Sequence, residues 1–228
     1  MKTVGIVGVT AEGAADCYKA IVKLALEKLG HNKHPEIVLV NPSFDLILAA
    51  QKKRDWHAVA GTLVAAAQKC VAAGADFIII PANSVHFAYD LVAKSLDVPV
   101  VNIVEVVADQ CKARGFKIVA VLGVGLTMSD GLYDGALNRR SIQQVMLGES
   151  EKVQLDNIIY GELVNGVIKP ASVEKVLSIC TRLASKGCDA LILACTELQM
   201  ILDAHNAPIP ILDSTELLAA NALAKALE

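Results

Sequence analysis

Residues 74–84 read GADFIIIPANS, and residues 187–197 read GCDALILACTE. Each copy runs from a glycine through an acidic residue into four apolar residues, and ends in small and polar residues. Glycine commonly ends a preceding helix, and a short apolar run bounded by turn residues is typical of a buried parallel strand. The pattern therefore predicts the same helix–strand–turn unit twice, 113 positions apart.

Two further pairs of segments repeat in the same order. VGIVGV at residues 4–9 matches VAVLGV at residues 119–124, and PVVN at residues 99–102 matches PILD at residues 210–213. The shifts are 115 and 111 positions, close to that of the first pair. Three ordered matches at nearly one shift indicate an internal duplication.

Strand-like apolar runs alternate with stretches of helical period along the chain. Strands are predicted at residues 3–7, 36–40, 76–80, 98–103, 117–122, 190–193 and 209–212. Helices are predicted at residues 13–29, 56–73, 84–95, 108–114, 172–186 and 215–227, with polar helices near 133–137 and 151–165. Such alternation implies right-handed crossovers and parallel sheets. We predict an α/β fold of two pseudo-symmetric Rossmann-like domains, with the site in the cleft between them; the domains are residues 1–97 plus 211–228, and residues 98–210.

Composition narrows the class of protein. The 228 residues are 54% hydrophobic and 4% aromatic, with a net charge of −3, so no basic surface for nucleic acid or membrane is expected. The six cysteines form no Cys-x-x-Cys pair and no zinc spacing, which predicts no metal site. No apolar run approaches the roughly 20 residues of a bilayer span. We expect a soluble, cytoplasmic protein.

Cys195 follows a predicted strand and opens the next predicted helix. A thiol near backbone N–H groups and a helix N-terminus would have a lowered pKa. The alternative interpretation is that Cys195 is another small buried side chain. Polar residues at equivalent strand ends could bind a substrate carboxylate; they are Thr10, Asn83, Ser84, Thr127 and Thr196.

Two motifs carry a resemblance to a known family. ACTEL at residues 194–198 resembles the second-half motif of the aspartate/glutamate racemases, and PANSVH at residues 81–86 resembles their first-half motif. The N-terminal GIVG, the stretch from Tyr160 to Lys169 and the DST at residues 213–215 also fit. The resemblance implies an isomerase that racemises a small amino acid or dicarboxylate, uses neither cofactor nor pyridoxal phosphate, and forms a homodimer.

The family mechanism uses two cysteines that flank the substrate Cα, one removing a proton and the other returning one. Cys195 matches the second cysteine, whereas Ala82 stands at the position of the first. Three explanations remain open: a deliberate cysteine-to-alanine change, a natural one-cysteine decarboxylase or isomerase like the arylmalonate decarboxylases, and a non-catalytic amino-acid binder. The glutamate that follows Cys-Thr, Glu197, resembles the residue that aspartate-type enzymes of this family have at that position.

Supporting roles follow from the same resemblance. His86, four residues after Ala82, matches the family histidine and is either an orienting residue or an ordinary helix residue. The family's substrate-binding arginine is missing from residues 41–45, which read NPSFD. Lys169 is therefore the candidate for the positive charge, with a solvated loop charge as the alternative.

Overall fold

The structure is a computed structural model that describes all residues, Met1–Glu228. The chain divides into a first unit, Met1–Val106 with Thr215–Glu228, and a second unit, Val107–Ser214. The predicted α/β class with parallel sheets is confirmed. No helix has both the length and the apolar composition needed to cross a bilayer.

Seven strands and ten α-helices form the two units. The strands are β1 (Val4–Val7), β2 (Ile37–Val40), β3 (Phe77–Ile79), β4 (Ile118–Leu122), β5 (Gln143–Gln144), β6 (Ala190–Leu193) and β7 (Ile211–Asp213). The helices are α1 (Ala11–Leu29), α2 (Phe44–Lys52), α3 (Trp56–Ala72), α4 (Tyr89–Lys94), α5 (Ile103–Ala113), α6 (Gly125–Ser129), α7 (Asp134–Asn138), α8 (Glu149–Gly161), α9 (Pro170–Ser185) and α10 (Ser214–Ala226). Three 3-10 turns cover Ser84–Ala88, Leu163–Asn165 and Thr196–Met200.

The first unit is built on a parallel sheet in the order β2-β1-β3. Val4 pairs with Ile37 on one side and with Phe77 on the other, so β1 is the central strand. All residues of β1 and β3 are buried, as expected for parallel strands covered on both faces. Because the strands pair in parallel, their carboxyl ends and the loops that follow lie at one edge of the sheet.

The second unit repeats this arrangement with a parallel sheet in the order β5-β4-β6-β7. Val119 pairs with Ala190, and Leu191 pairs with Ile211. Pairing of β7 with β6 keeps residues 211–213 with the second sheet, whereas the sequence prediction grouped them with the N-terminal domain. In the structure the boundaries between the two units follow Val106 and Ser214, whereas the predicted domain boundaries follow residues 97 and 210.

Three local predictions differ from the structure. Residues 98–103 make a single bridge, between Ile78 and Val100, because α5 already begins at Ile103. The predicted helix 84–95 is divided into the 3-10 turn Ser84–Ala88 and α4. The α2 helix was not predicted, because its nine residues directly follow the turn-like Asn-Pro-Ser sequence.

Candidate active site

The loops after β4 and β6 lie side by side at the carboxyl edge of the second sheet. Leu122 pairs with Leu193, so Gly123 and Ala194 are the next residues on adjacent strands. A Cβ atom at Gly123 would lie 3.1 Å from the carbonyl oxygen of Ala194, and a side chain there would therefore crowd the backbone. The glycine allows the loop after β4 to pass close to Cys195.

Cys195 occupies the first loop position after Ala194 with extended backbone angles, φ −147° and ψ 128°. Its Sγ donates a hydrogen bond to Oε2 of Glu197 at 2.9 Å. The other five cysteines are buried, and Cys195 alone is partly accessible. The cysteine that the sequence singled out is thus the one cysteine that is not fully buried.

The predicted lowering of the Cys195 pKa is wrong. Burial raises the pKa of the thiol well above its ordinary value, and the nearby charges of Glu197 and Asp156 raise it further. The segment after Cys195 is a five-residue 3-10 turn, which has too little aligned backbone to offset those effects. Cys195 is therefore a protonated thiol with a carboxylate as its hydrogen-bond acceptor.

Asp156 on α8 is the second acidic group near this thiol. Its Oδ1 accepts a hydrogen bond from the backbone N–H of Gly125 at 2.7 Å, which joins α8 to the loop after β4. Tyr160, one helical turn later, has its pKa raised to about 12 by burial and by the nearby charges of Asp156 and Glu197. Sequence reasoning missed Asp156, because an acidic residue on a polar helix carries no distinguishing signal.

Two predicted substrate-binding threonines lie in this unit. Thr127 on α6 is only 2% exposed, and its hydroxyl oxygen has no hydrogen-bond partner. Thr196 is partly buried and begins the 3-10 turn after Cys195. Their binding roles stay predictions.

Lys169 lies at the start of α9, and its side chain is 59% exposed. Its ammonium Nζ is 3.3 Å from Oε1 of Glu162. The Ser172 hydroxyl and the Lys169 ammonium hold the pKa of Glu162 below its usual value. Lys169 is thus already paired with a carboxylate, which matches the surface-charge interpretation more closely than the substrate-binding one.

In the first unit, Ala82 lies in the loop after β3, and its carbonyl oxygen is hydrogen-bonded to His86. Nδ1 of His86 lies 2.8 Å from the carbonyl oxygen of Ala82, and Nε2 accepts a hydrogen bond from the backbone N–H of Ile103 at 3.3 Å. Burial lowers the pKa of His86 to about 4. His86 is neutral, with Nδ1 as the donor, and it fixes the backbone of residue 82 relative to α5.

The remaining predicted residues of the first unit also have local partners. Thr10 caps α1, its Oγ1 accepting from the N–H of Gly13 at 3.2 Å. The Ser84 hydroxyl accepts from Nε2 of Gln51 at 2.9 Å, and Asn83 is buried with 6% exposure. Parallel pairing of β1 with β3 brings the loop of Thr10 and the loop of Ala82 to the same sheet edge. No group of three or more His, Cys, Asp or Glu side chains is arranged to hold a metal ion.

Comparison with known proteins identifies the family. The family model for Asp/Glu/hydantoin racemases matches residues 6–222. The chain belongs to this racemase family. The isomerase class predicted from the two motifs is therefore confirmed.

Relatives of the racemase family resemble the chain over most of its length. The broad specificity amino-acid racemase RacX of Bacillus subtilis (strain 168) is 28% identical over 173 residues, 75% of this chain and 73% of the relative. An aspartate racemase homologue from Pyrococcus horikoshii OT3 is 30% identical with a TM-score of 0.88 over the whole of both chains. A candidate Asp/Glu racemase from Yersinia pestis is 29% identical with a TM-score of 0.93, again over both whole chains.

Proposed function

We propose that this racemase-family protein transfers a proton at the α-carbon of a small amino acid through one thiol, Cys195, and without a cofactor. The observation that carries the proposal is the 2.9 Å hydrogen bond from Sγ of Cys195 to Glu197, set against an alanine at the equivalent position of the repeat. A thiol with its own carboxylate acceptor can both give and take a proton. Ala82 can do neither.

The Cys195–Glu197 pair can hold the transferred proton both when it leaves Cα and before it returns to Cα. When Glu197 holds the thiol proton, the thiolate sulfur takes the proton from Cα, and the C–H electron pair remains on the substrate as a carboxylate-stabilised carbanion. Return of a proton from sulfur to the same face restores the amino acid. The raised pKa of Cys195 favours the proton-donating half of this cycle, because the thiol rests protonated.

The first unit supplies no replacement for the missing thiol beside Ala82. Both ring nitrogens of His86 are engaged by backbone groups, and its pKa of about 4 keeps it neutral and weakly basic. Asn83 and Ser84 do not titrate in the physiological range. Proton transfer on a single face of the substrate is therefore the expected reaction of the unmodified chain.

A one-cysteine decarboxylase is the second candidate. Decarboxylation of a malonate forms the carbanion without removal of a proton, so a single protonated thiol completes the reaction. The raised pKa of Cys195 and the presence of Ala82 both favour this chemistry. A Gly74Cys mutant of arylmalonate decarboxylase shares the fold at 15% identity and a TM-score of 0.58.

Solvent exchange separates these functions. Each enantiomer of a panel of amino acids is incubated with the protein in D₂O, and the α-proton is followed by NMR and configuration by chiral chromatography. We expect deuterium at Cα of one enantiomer with its configuration retained. Rapid racemisation of both enantiomers would overturn the single-thiol proposal. Carbon dioxide release from a malonate, without exchange of any amino acid, would favour the decarboxylase.

A further inference from the structure

We infer that Gln51 is a positioning residue: its side-chain amide holds the Ser84 hydroxyl so that the hydroxyl hydrogen is donated to the carboxylate of the bound amino acid. The inference rests on the proposed function, because it requires that an amino acid bind to this protein. It concerns the first unit alone, and it gives a role to α2, the helix that the sequence did not predict. Three observations in that unit support it.

The first observation is the hydrogen bond itself. Nε2 of Gln51 donates to Oγ of Ser84 at 2.9 Å, although the two residues are 33 positions apart in the sequence. A serine hydroxyl has one hydrogen and two lone pairs, so an oxygen that accepts from an amide still has its own hydrogen to donate. No side chain or backbone group of the protein accepts that hydrogen. The Ser84 hydroxyl is therefore a donor that a ligand can use.

The second observation is that packing fixes both ends of this bond. Ile47 and Ala50 of α2 belong to the same buried apolar cluster as Val85, the residue after Ser84. Gln51 follows Ala50 directly and is partly buried. The amide and the hydroxyl are thus carried by backbone segments that share one core. A hydroxyl that is aimed in advance binds a ligand more tightly, because less rotational freedom is lost on binding.

The third observation is that the neighbouring histidine supplies no positive charge. Both ring nitrogens of His86 are engaged by backbone groups, and burial lowers its pKa to about 4, so the ring is neutral. A carboxylate bound at the loop after β3 therefore gains from a neutral donor. A hydroxyl that donates to a carboxylate makes a shorter and stronger hydrogen bond than one between neutral groups. The orientation of the Ser84 hydroxyl consequently affects how tightly the carboxylate is held.

A double-mutant cycle separates positioning from a merely structural role. Gln51→Met keeps the length of the side chain and removes its amide, whereas Ser84→Ala removes the hydroxyl. Dissociation constants of the D- and L-forms of alanine and aspartate are measured by calorimetry for the unmodified protein, each single variant and the double variant. Exchange of the α-proton in D₂O gives KM and kcat for the same proteins. Gln68→Met, at an exposed glutamine of α3 in the same unit, is the control.

We expect Gln51→Met to weaken binding and to raise KM by roughly three- to tenfold, with kcat little changed. The same substitution should have no effect on binding when Ser84→Ala is already present, and Gln68→Met should have none in either case. Equal weakening with and without the Ser84 hydroxyl would show that Gln51 only supports the fold, and would overturn the inference. Unchanged binding in Gln51→Met would overturn it as well.

Gln51→Glu tests the direction of the hydrogen bond. An ionised carboxylate only accepts, so Ser84 would donate to it and would lose its hydrogen for the ligand. We expect binding to weaken roughly tenfold, and this loss to shrink when Ser84→Ala is present. A loss of the same size in both cases would be plain repulsion between carboxylates and would contradict the inference, as would undiminished binding. If the unmodified protein neither binds nor exchanges any of the four ligands, the proposed function itself fails; failure of the cycle with exchange intact leaves it standing.

Discussion

The two halves of the chain share a scaffold down to individual hydrogen bonds. Gly74 and Gly187 end equivalent helices with φ of +98° and +84°, a region in which glycine is favoured. The acidic residue two positions later, Asp76 or Asp189, accepts hydrogen bonds from backbone N–H groups at the start of the neighbouring strand. Duplication has therefore preserved the turn and the strand pairing that build each sheet edge.

The same halves differ at the positions that follow each strand. Ala82 corresponds to Cys195 and Ser84 corresponds to Glu197. The first half thus has the methyl group of Ala82 and the hydroxyl of Ser84. The second half has the thiol of Cys195 hydrogen-bonded to the carboxylate of Glu197. Since the scaffold is shared, the difference concerns chemistry: only the second half has a thiol at this position, and we therefore propose that proton transfer takes place there.

The strongest test of this asymmetry removes the thiol. Cys195→Ser should reduce exchange at Cα by about 10²–10⁴-fold, because a hydroxyl is far less acidic than a thiol. The free energy of unfolding should change by no more than about 1 kcal/mol, since the two side chains are similar in size. Cys188→Ser, in the buried core of the same unit, should cost stability but leave the exchange rate per folded molecule unchanged. Undiminished exchange in Cys195→Ser would remove Cys195 from the mechanism.

The reverse test restores symmetry. Ala82→Cys should convert single-face exchange into racemisation, with a gain of about 10²–10⁴-fold on chiral chromatography. Ser84 beside the new thiol carries no charge, so this thiol should have a lower pKa than Cys195, and a larger fraction of it should be thiolate that can accept a proton. Ala88→Cys, in the 3-10 turn that follows position 82, is the control for a thiol added elsewhere. Equal turnover in both variants would show that positions 82 and 195 do not act on one substrate.

Glu197 should affect reactivity and turnover in opposite directions. Burial is the main cause of the raised pKa of Cys195, and Glu197→Gln removes the nearest charge that adds to it, so more thiolate is present at any pH near 8. Alkylation of Cys195 by iodoacetamide should become roughly tenfold faster, while exchange at Cα slows because the proton acceptor is lost. Glu162→Gln, an acid paired with Lys169, should leave alkylation unchanged. Slower alkylation of Glu197→Gln would show that the carboxylate does not oppose ionisation of the thiol.

Sequence alone predicts what depends on local pattern. The buried strands 77–79 and 190–193 were expected from apolar runs bounded by turn residues, and Cys195 from its place after one of them. The thiol pKa was predicted in the wrong direction, because it depends on burial and on Asp156, a residue remote in sequence. Residues 98–103 resemble a strand but bridge only at Val100, since α5 already begins at Ile103.

His86 distinguishes the halves in their response to pH, because its equivalent in the second half is Gln199. Its pKa falls from 6.5 in the unfolded chain to about 4 in the folded one, so the unfolded chain binds the proton first. Stability should be complete above about pH 6.5 and fall by on the order of 3 kcal/mol as the pH drops toward 4. Urea unfolding of His86→Gln should lose that part of the pH dependence, and His57→Gln should retain it. An identical slope in His86→Gln would mean that His86 is not the buried neutral group.

The smallest expected effect concerns the shared scaffold itself. Asp189 accepts two backbone hydrogen bonds, at 2.6 and 2.8 Å, and Asp76 accepts one, at 2.6 Å. Asp189→Ala should therefore destabilise the protein by about 1–2 kcal/mol, and Asp76→Ala by about half as much. The backbone donors at Lys117 and Ile118 lower the pKa of Asp189, so its contribution is present above the ordinary carboxyl pKa and disappears as the pH falls through the lowered value. Urea titrations of both variants at neutral and acidic pH measure this. Equal losses for the two variants would show that the second hydrogen bond adds no stability, and that the equivalent acids support their sheets alike.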